Sequence, residues 1–156
     1  MLDVYKIRKD FPILGKKVNN TDLIYFDNAA TSQTPNQVID AISNYYKENN
    51  SNIHRGLHSL SADATNKYEN SRSIIKNHFG AAYEHEIIFT SGTTHGINIV
   101  SSGLEKSISS KDELIVSEME HHSNIVPWQM LCEKTGSKLK VIPINDDGTL
   151  DMDEYT

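Results

Sequence analysis

Apolar positions along the 156-residue chain change rhythm near residue 85. Before that point they recur at helical spacing between irregular polar stretches. In "VYKIRKDF", Val4, Ile7 and Phe11 share a helical stripe that ends at Pro12. The run "LIYF" (23–26) predicts a short strand. Thr34-Pro35 supplies an N-cap with proline at the first helical position. Val38, Ile42, Tyr45 and Tyr46 then mark one face, predicted to be buried. Residues 49–58 read as a polar loop, and a longer helix is predicted from about Ser61 to Phe79, stopped by Gly80.

Beyond residue 85, short apolar runs alternate with helical ones. "EIIFT" (86–90), "ELIVS" (113–117) and "KLKVIPI" (138–144) predict strands. "INIVSSGLEK" and "IVPWQMLCEKTG" predict the helices between them. That alternation implies an α/β fold with a parallel sheet and right-handed crossovers. After the turn "NDDG", Asp151 with Glu154 three residues on forms a capping pair at the start of a further helix. A parallel sheet needs both faces covered, so the pattern predicts a truncated α/β unit.

Composition narrows the function classes. Fifteen Lys and Arg against 21 Asp and Glu give a net charge of −6, which argues against a nucleic-acid surface. A single cysteine, Cys132, excludes an internal disulfide and makes a reducing cytosol the expected compartment. No apolar run approaches the roughly 18 residues of a membrane span. The N-terminus "MLDVYKIRKDF" lacks the apolar core of a secretory signal. Asn19 and Asn49 head N-x-[ST] triplets, expected to be chance matches in an Asn-rich chain.

Four stretches carry candidate chemistry. "FTSGTTHGIN" (89–98) lies between a strand end and a helix start, where α/β sheets bind ligands. Gly92 allows close backbone approach, Thr93 and Thr94 add hydroxyl donors, and free helix N–H groups point at the same spot. Together they suit a phosphate monoester. An ordinary capped turn explains the same residues. "EMEHHSN" (118–124) follows the next strand. His121 and His122 there read as metal ligands, as a platform for a planar ring able to move protons, or as solvated loop residues. The metal reading is disfavoured because no CxxC or HExxH partner exists. "NIHRGLHSL" (52–60) sets His54, Arg55 and His58 in a loop, with Arg55 able to meet a carboxylate or to sit on the surface. "YFDNAATS" (25–32) places the small Ala29 and Ala30 where a ligand or another backbone approaches, or in a plain Asx turn. Cys132, beside Trp128 and Leu131 on a helix, reads as a buried small hydrophobe.

Taken together, "YFDNAATSQTP", "NIHRGLHSLSADAT", "IIFTSGTTHGINIV" and "SEMEHHSNIVPWQ" resemble the N-terminal part of the SUF-type, pyridoxal-phosphate-dependent cysteine desulfurases of the class V aminotransferase group. "EMEHHSNIVPW" favours the SUF-like over the NifS/IscS-like branch. The resemblance implies the first part of the large domain of the type I aspartate aminotransferase fold, a parallel or mixed sheet with helices on both faces. It implies an N-terminal helical arm over 1–22 and an incomplete cofactor-binding domain over 23–156. Gly92, Thr93 and Thr94 would hold the phosphate of pyridoxal 5'-phosphate. His121 would stack on its ring and assist proton transfer, with His122 behind it. Ala29, Ala30, His54 and Arg55 would line the substrate side, the last two near a dimer interface.

The implied reaction takes sulfur from L-cysteine, leaves L-alanine, and puts a persulfide on an enzyme cysteine. A sulfur-acceptor protein of iron–sulfur assembly, a homodimer and a cytoplasmic location come with it. The Schiff-base lysine, the aspartate facing the pyridine nitrogen, the persulfide-forming cysteine and the carboxylate-binding arginine have no candidates here. The 156 residues alone are therefore expected to be inactive. Selenocysteine lyase or another class V enzyme, and a non-catalytic truncated product, are the alternatives.

Overall fold

The computed structural model describes residues 2–155, which form two compact units divided between Ile87 and Ile88. In the first unit, α1 spans Val4–Arg8, with the Asp3 carboxylate accepting from the Lys6 N–H. A single 3-10 turn, Pro12–Gly15, follows where Pro12 ends the helical stripe. A hairpin that the sequence pattern did not predict comes next, pairing β1 (Lys17–Val18) with β2 (Thr21–Asp22). Its two-residue loop is Asn19-Asn20, both at positive φ (50° and 62°), the conformation of a type I′ turn that asparagine tolerates.

Residues 23–26 are extended but form no strand, because no neighbouring strand offers them a ladder. Helix α2 (Asn36–Asn44) begins one residue past Pro35, which itself takes the cap position in place of Thr34. It runs on as a π-turn over Tyr45–Asn49. The face expected to be buried is not: Val38, Ile42 and Tyr46 are 44%, 55% and 67% exposed. The stripe is present in the helix, but nothing in the described residues covers it. Helix α3 (Ser59–Phe79) starts two residues earlier than expected because the His58 ring accepts from the Ser61 N–H. It ends at Gly80, which takes the left-handed conformation at φ 70°.

In the second unit, "EIIFT" is again not a strand. Glu84–Glu86, at the end of the first unit, wind into a 3-10 turn, and residues 87–90 belong to no strand ladder. Helix α4 spans Thr93–Leu104, so the expected turn "SGTTHG" is mostly the helix's first turn. Strands β3 (Glu113–Ser117) and β4 (Lys138–Ile142) pair in parallel, with Leu114 opposite Leu139 and Val116 opposite Val141. The parallel register expected from the alternating pattern is thus present. Helix α5 (Val126–Thr135) connects them, and Gly136 at φ 75° ends it. The core is small: Val116 from β3 with Leu131 and Cys132 from α5. Cys132 is buried among them as a small hydrophobe, as its helix position suggested. The buried Ser101 hydroxyl donates to the Pro127 carbonyl (3.0 Å), tying α4 to α5. The capping bonds expected at Asp151 form, to the N–H groups of Asp153 and Glu154, but no helix follows in the described residues.

Candidate functional site

The first turn of α4 is shaped for an anion. Gly92 sits before it at φ 108°, ψ 174°, a backbone only glycine adopts without strain. A Cβ added there would meet no atom within 4 Å, so the space beside the glycine is open. The first helical bond runs from the Gly96 N–H to the Gly92 carbonyl. The N–H groups of Thr93, Thr94 and His95 therefore precede the ladder and face outward. Thr93 and Thr94 are exposed, adding two uncharged hydroxyls beside them. The donor set carries no cation, so the helix N-terminus supplies the positive end of the field.

His95 locks this turn, a role the sequence reading missed. Its Nδ1 accepts from the Ser91 N–H (3.2 Å), with the Ser91 hydroxyl 3.0 Å away. The signal was legible: a polar side chain at the third helical position reaching back over the cap.

On the turn after β3, the His121 Nδ1 accepts from the Ser123 N–H (3.2 Å), with Ser123 Oγ at 3.0 Å. A backbone N–H can only donate, so Nδ1 is the bare nitrogen and the neutral ring carries its proton on Nε2. The imidazole is thereby fixed in orientation while one face stays exposed. His122 stands edge-on to it, with ring centroids 6.1 Å apart.

Glu120 anchors the turn. Its carboxylate accepts from the Ser117 hydroxyl (3.0 Å) and the Asn124 amide (2.8 Å), and Asn124 in turn accepts from the Trp128 indole (2.9 Å). The Asn124 amide foremost, and then the Ser117 hydroxyl, hold the Glu120 carboxyl below the usual carboxylate range. From sequence this residue was only a flanking acid.

The two elements meet. A cleft of about 310 Å³ is lined by Thr94 and Asn98 of α4, by His121 and His122, and by Val126 and Met130 of α5. Its walls are mainly apolar with few polar groups, the makeup of a site for a flat organic ligand. Gly92 and Thr93 stand at its α4 end without lining it.

The other candidates lie in the first unit. Ala29 and Ala30 occupy an exposed turn closed by the Ala30 and Thr31 N–H groups on the Asp27 carbonyl. The Tyr25 hydroxyl, 2.7 Å from the Thr31 carbonyl, braces that turn. His54 and Arg55 sit on a loop corner before α3, described below. No hydrogen bond joins that corner to the Ala29 turn among the described residues. A larger hollow of this unit, about 850 Å³ between Phe11, Leu14, Ile24 and Phe26, contains none of the candidates.

Comparison with known proteins bears on the family. The aminotransferase class-V family matches residues 24–156. A probable cysteine desulfurase of Staphylococcus epidermidis is 52% identical over 153 residues, 97% of this chain and 37% of that protein. A cysteine desulfurase of Synechococcus elongatus is 45% identical over 154 residues, 98% of this chain and 25% of the relative. The apo structure of a cysteine desulfurase from Thermococcus onnurineus superimposes with a TM-score of 0.87 at 41% identity, covering 99% of this chain and 37% of that one. The chain thus spans between a quarter and little more than a third of the length of these relatives. Sequence and backbone agree that it belongs to the aminotransferase class-V family.

Proposed function

We propose that the chain is part of a pyridoxal-phosphate-dependent cysteine desulfurase of the SUF-like branch, converting L-cysteine to L-alanine and an enzyme persulfide. The observation that carries this is the shared cleft of Thr94 and His121. A helix N-terminus with two hydroxyls at one end of an apolar slot, and an oriented imidazole at the other, fits a phosphorylated aromatic ring. Names of the relatives support the reaction.

The chain's residues divide the work by position. Thr93, Thr94 and the adjoining N–H groups hold the phosphate, which Gly92 lets approach the backbone. His121 offers its ring as a platform and holds a proton at Nε2, ready for transfer near the bound amino acid. When bound, the cofactor supplies an electron sink for the amino acid's α-carbon. The resemblance assigns Ala29, Ala30, His54 and Arg55 to substrate binding, a role in which Arg55 suits a carboxylate. Buried Cys132 is no persulfide carrier. That cysteine and the cofactor's lysine are assigned to sequence outside these 156 residues. A sulfur-acceptor protein of iron–sulfur assembly, a homodimer and a cytoplasmic setting belong to the same proposal. The single cysteine supports the last.

Intact mass of the protein from its native source after borohydride reduction tests this. A chain well above 17.6 kDa carrying one reduced pyridoxyl-phosphate adduct is expected. A 17.6 kDa chain without adduct would overturn the reading.

A further inference from the structure

The corner at residues 52–58 is held more firmly than an exposed loop needs. The Arg55 N–H donates to the Ile53 carbonyl (3.0 Å) around His54, whose φ is 70°. That bond across one residue at positive φ is a γ-turn of the rare, strained hand, and here a histidine rather than a glycine occupies its centre. Three ties hold it. The His54 N–H donates to Thr65 Oγ1 of α3 (2.9 Å). The His54 ring donates through Nε2 to Glu69 Oε1 (2.7 Å), leaving its edge against the Tyr68 ring. Ser61, 1% exposed, accepts from the Gly56 N–H and donates to the Asn52 carbonyl. A side chain at Gly56 would run into Ser61 at 2.4 Å, so the loop backbone lies close against the start of α3 there.

Glu69 is itself fixed. Its second oxygen accepts from Arg72 Nε (3.1 Å), while the other arms of Arg72 donate to the Tyr68 hydroxyl and the Ile87 carbonyl, with its guanidinium over the Tyr68 ring. Beyond this network, Arg55 and Leu57 project as exposed side chains, Leu57 wholly so.

We infer that Glu69, oriented by Arg72, is a positioning residue that clamps His54 in its strained turn and so sets where Arg55 is presented to an anionic substrate group. Strain in a turn persists only where surrounding contacts over-determine it, and such turns concentrate where a side chain must be aimed. The His54 bond foremost, with Arg72 behind it, holds the Glu69 carboxyl below its ordinary range, as expected for a carboxylate kept charged in the clamp. The substrate half of the inference rests on the proposed function; the clamp itself does not.

Amide hydrogen exchange by mass spectrometry on the purified protein separates the two. Glu69→Gln keeps the shape and removes the charge. It should speed exchange across 53–56 roughly ten-fold, the scale of one lost charge-assisted bond in a local opening equilibrium, while α3 stays protected. His54→Gly takes up positive φ without strain. In that background Glu69→Gln should add nothing, the mark of direct coupling. Equal acceleration with and without His54, acceleration spread along α3, or no acceleration would each overturn the clamp. L-cysteine titrations on the same variants read the other half. A weaker apparent affinity in both Glu69→Gln and Arg55→Ala is expected. Unchanged affinity in Arg55→Ala beside a loosened corner would leave the clamp standing and sink the substrate role.

Discussion

Three side chains that the sequence makes look incidental set the local geometry: His95, Glu120 and Glu69. His95 and Glu120 act within one turn and Glu69 across fifteen residues, and each braces a segment that carries candidate chemistry. Glu120 gives a pH prediction. Its folded carboxyl titrates below the free value of about 4.5, so its ionised form is favoured by folding. Its contribution is therefore full above the unfolded pKa and is lost as pH falls through the lower folded one. In Glu120→Ala, the fall in Tm between about pH 5 and pH 3 should be shallower than in the parent, read by circular dichroism melts. An identical slope would remove Glu120 from the acid transition. At the cradle, Thr94→Val removes a hydroxyl without changing volume. Phosphate binding, followed by ³¹P NMR of inorganic phosphate, should weaken by a factor of about ten, as for one lost hydrogen bond to a charged group. Full retention would leave the helix N–H groups as the sole donors.

Among the elements, α5 carries the most packing for its length. It contributes Leu131, 2% exposed, and the buried Cys132 and Pro127, and packs against α4 and β4. Leu131→Ala should cost about 2–5 kcal/mol, the range for a buried leucine whose site cannot collapse, read from urea melts of the protein. A change below about 1 kcal/mol would mean the unit relaxes around the cavity. Much of this level was legible. Alternating runs gave the β3–α5–β4 unit with strand starts correct to the residue, because its β-branched and helical patterns are satisfied by partners inside the chain. "LIYF" and "EIIFT" have equally good strand patterns and yet join no strand ladder. A strand is a property of two segments, and pattern reports only one of them. The Asn19-Asn20 hairpin was missed for the converse reason: its strands are two residues each, too short for any period to register.

At the scale of the whole molecule, surface is the dominant fact. The chain exposes 12475 Å². A compact monomer of its mass would expose roughly 7,900 Å², and even two separate globules of half that mass roughly 9,500 Å² together. The excess is apolar in large part: Ile24, Phe26, Ile42, Tyr46 and Leu57 are all more than half exposed. Surfaces of this kind bind hydrophobic dyes and associate. We expect the 156-residue chain to enhance anilinonaphthalene sulfonate fluorescence strongly and to sediment as concentration-dependent species. A monodisperse 17.6 kDa species without dye binding would show that these side chains find cover within the chain.

The order of motifs along the chain, "DNAATS", "IHRG", "SGTTHG" and "EHHSN", was enough by itself to determine the family and to name Thr94 and His121. Helix start, glycine turn and imidazole are local properties that residue type and spacing carry, and the resemblance turned them into a proposed phosphate cradle and ring platform. Only the tertiary structure decided that Thr94 and His121 share a cleft and that His54 is held in a strained turn by Glu69 fifteen residues away. Those facts depend on which groups meet across turns of different elements. A hydrogen bond between distant residues leaves no period in the sequence, because its two ends are selected together and read apart.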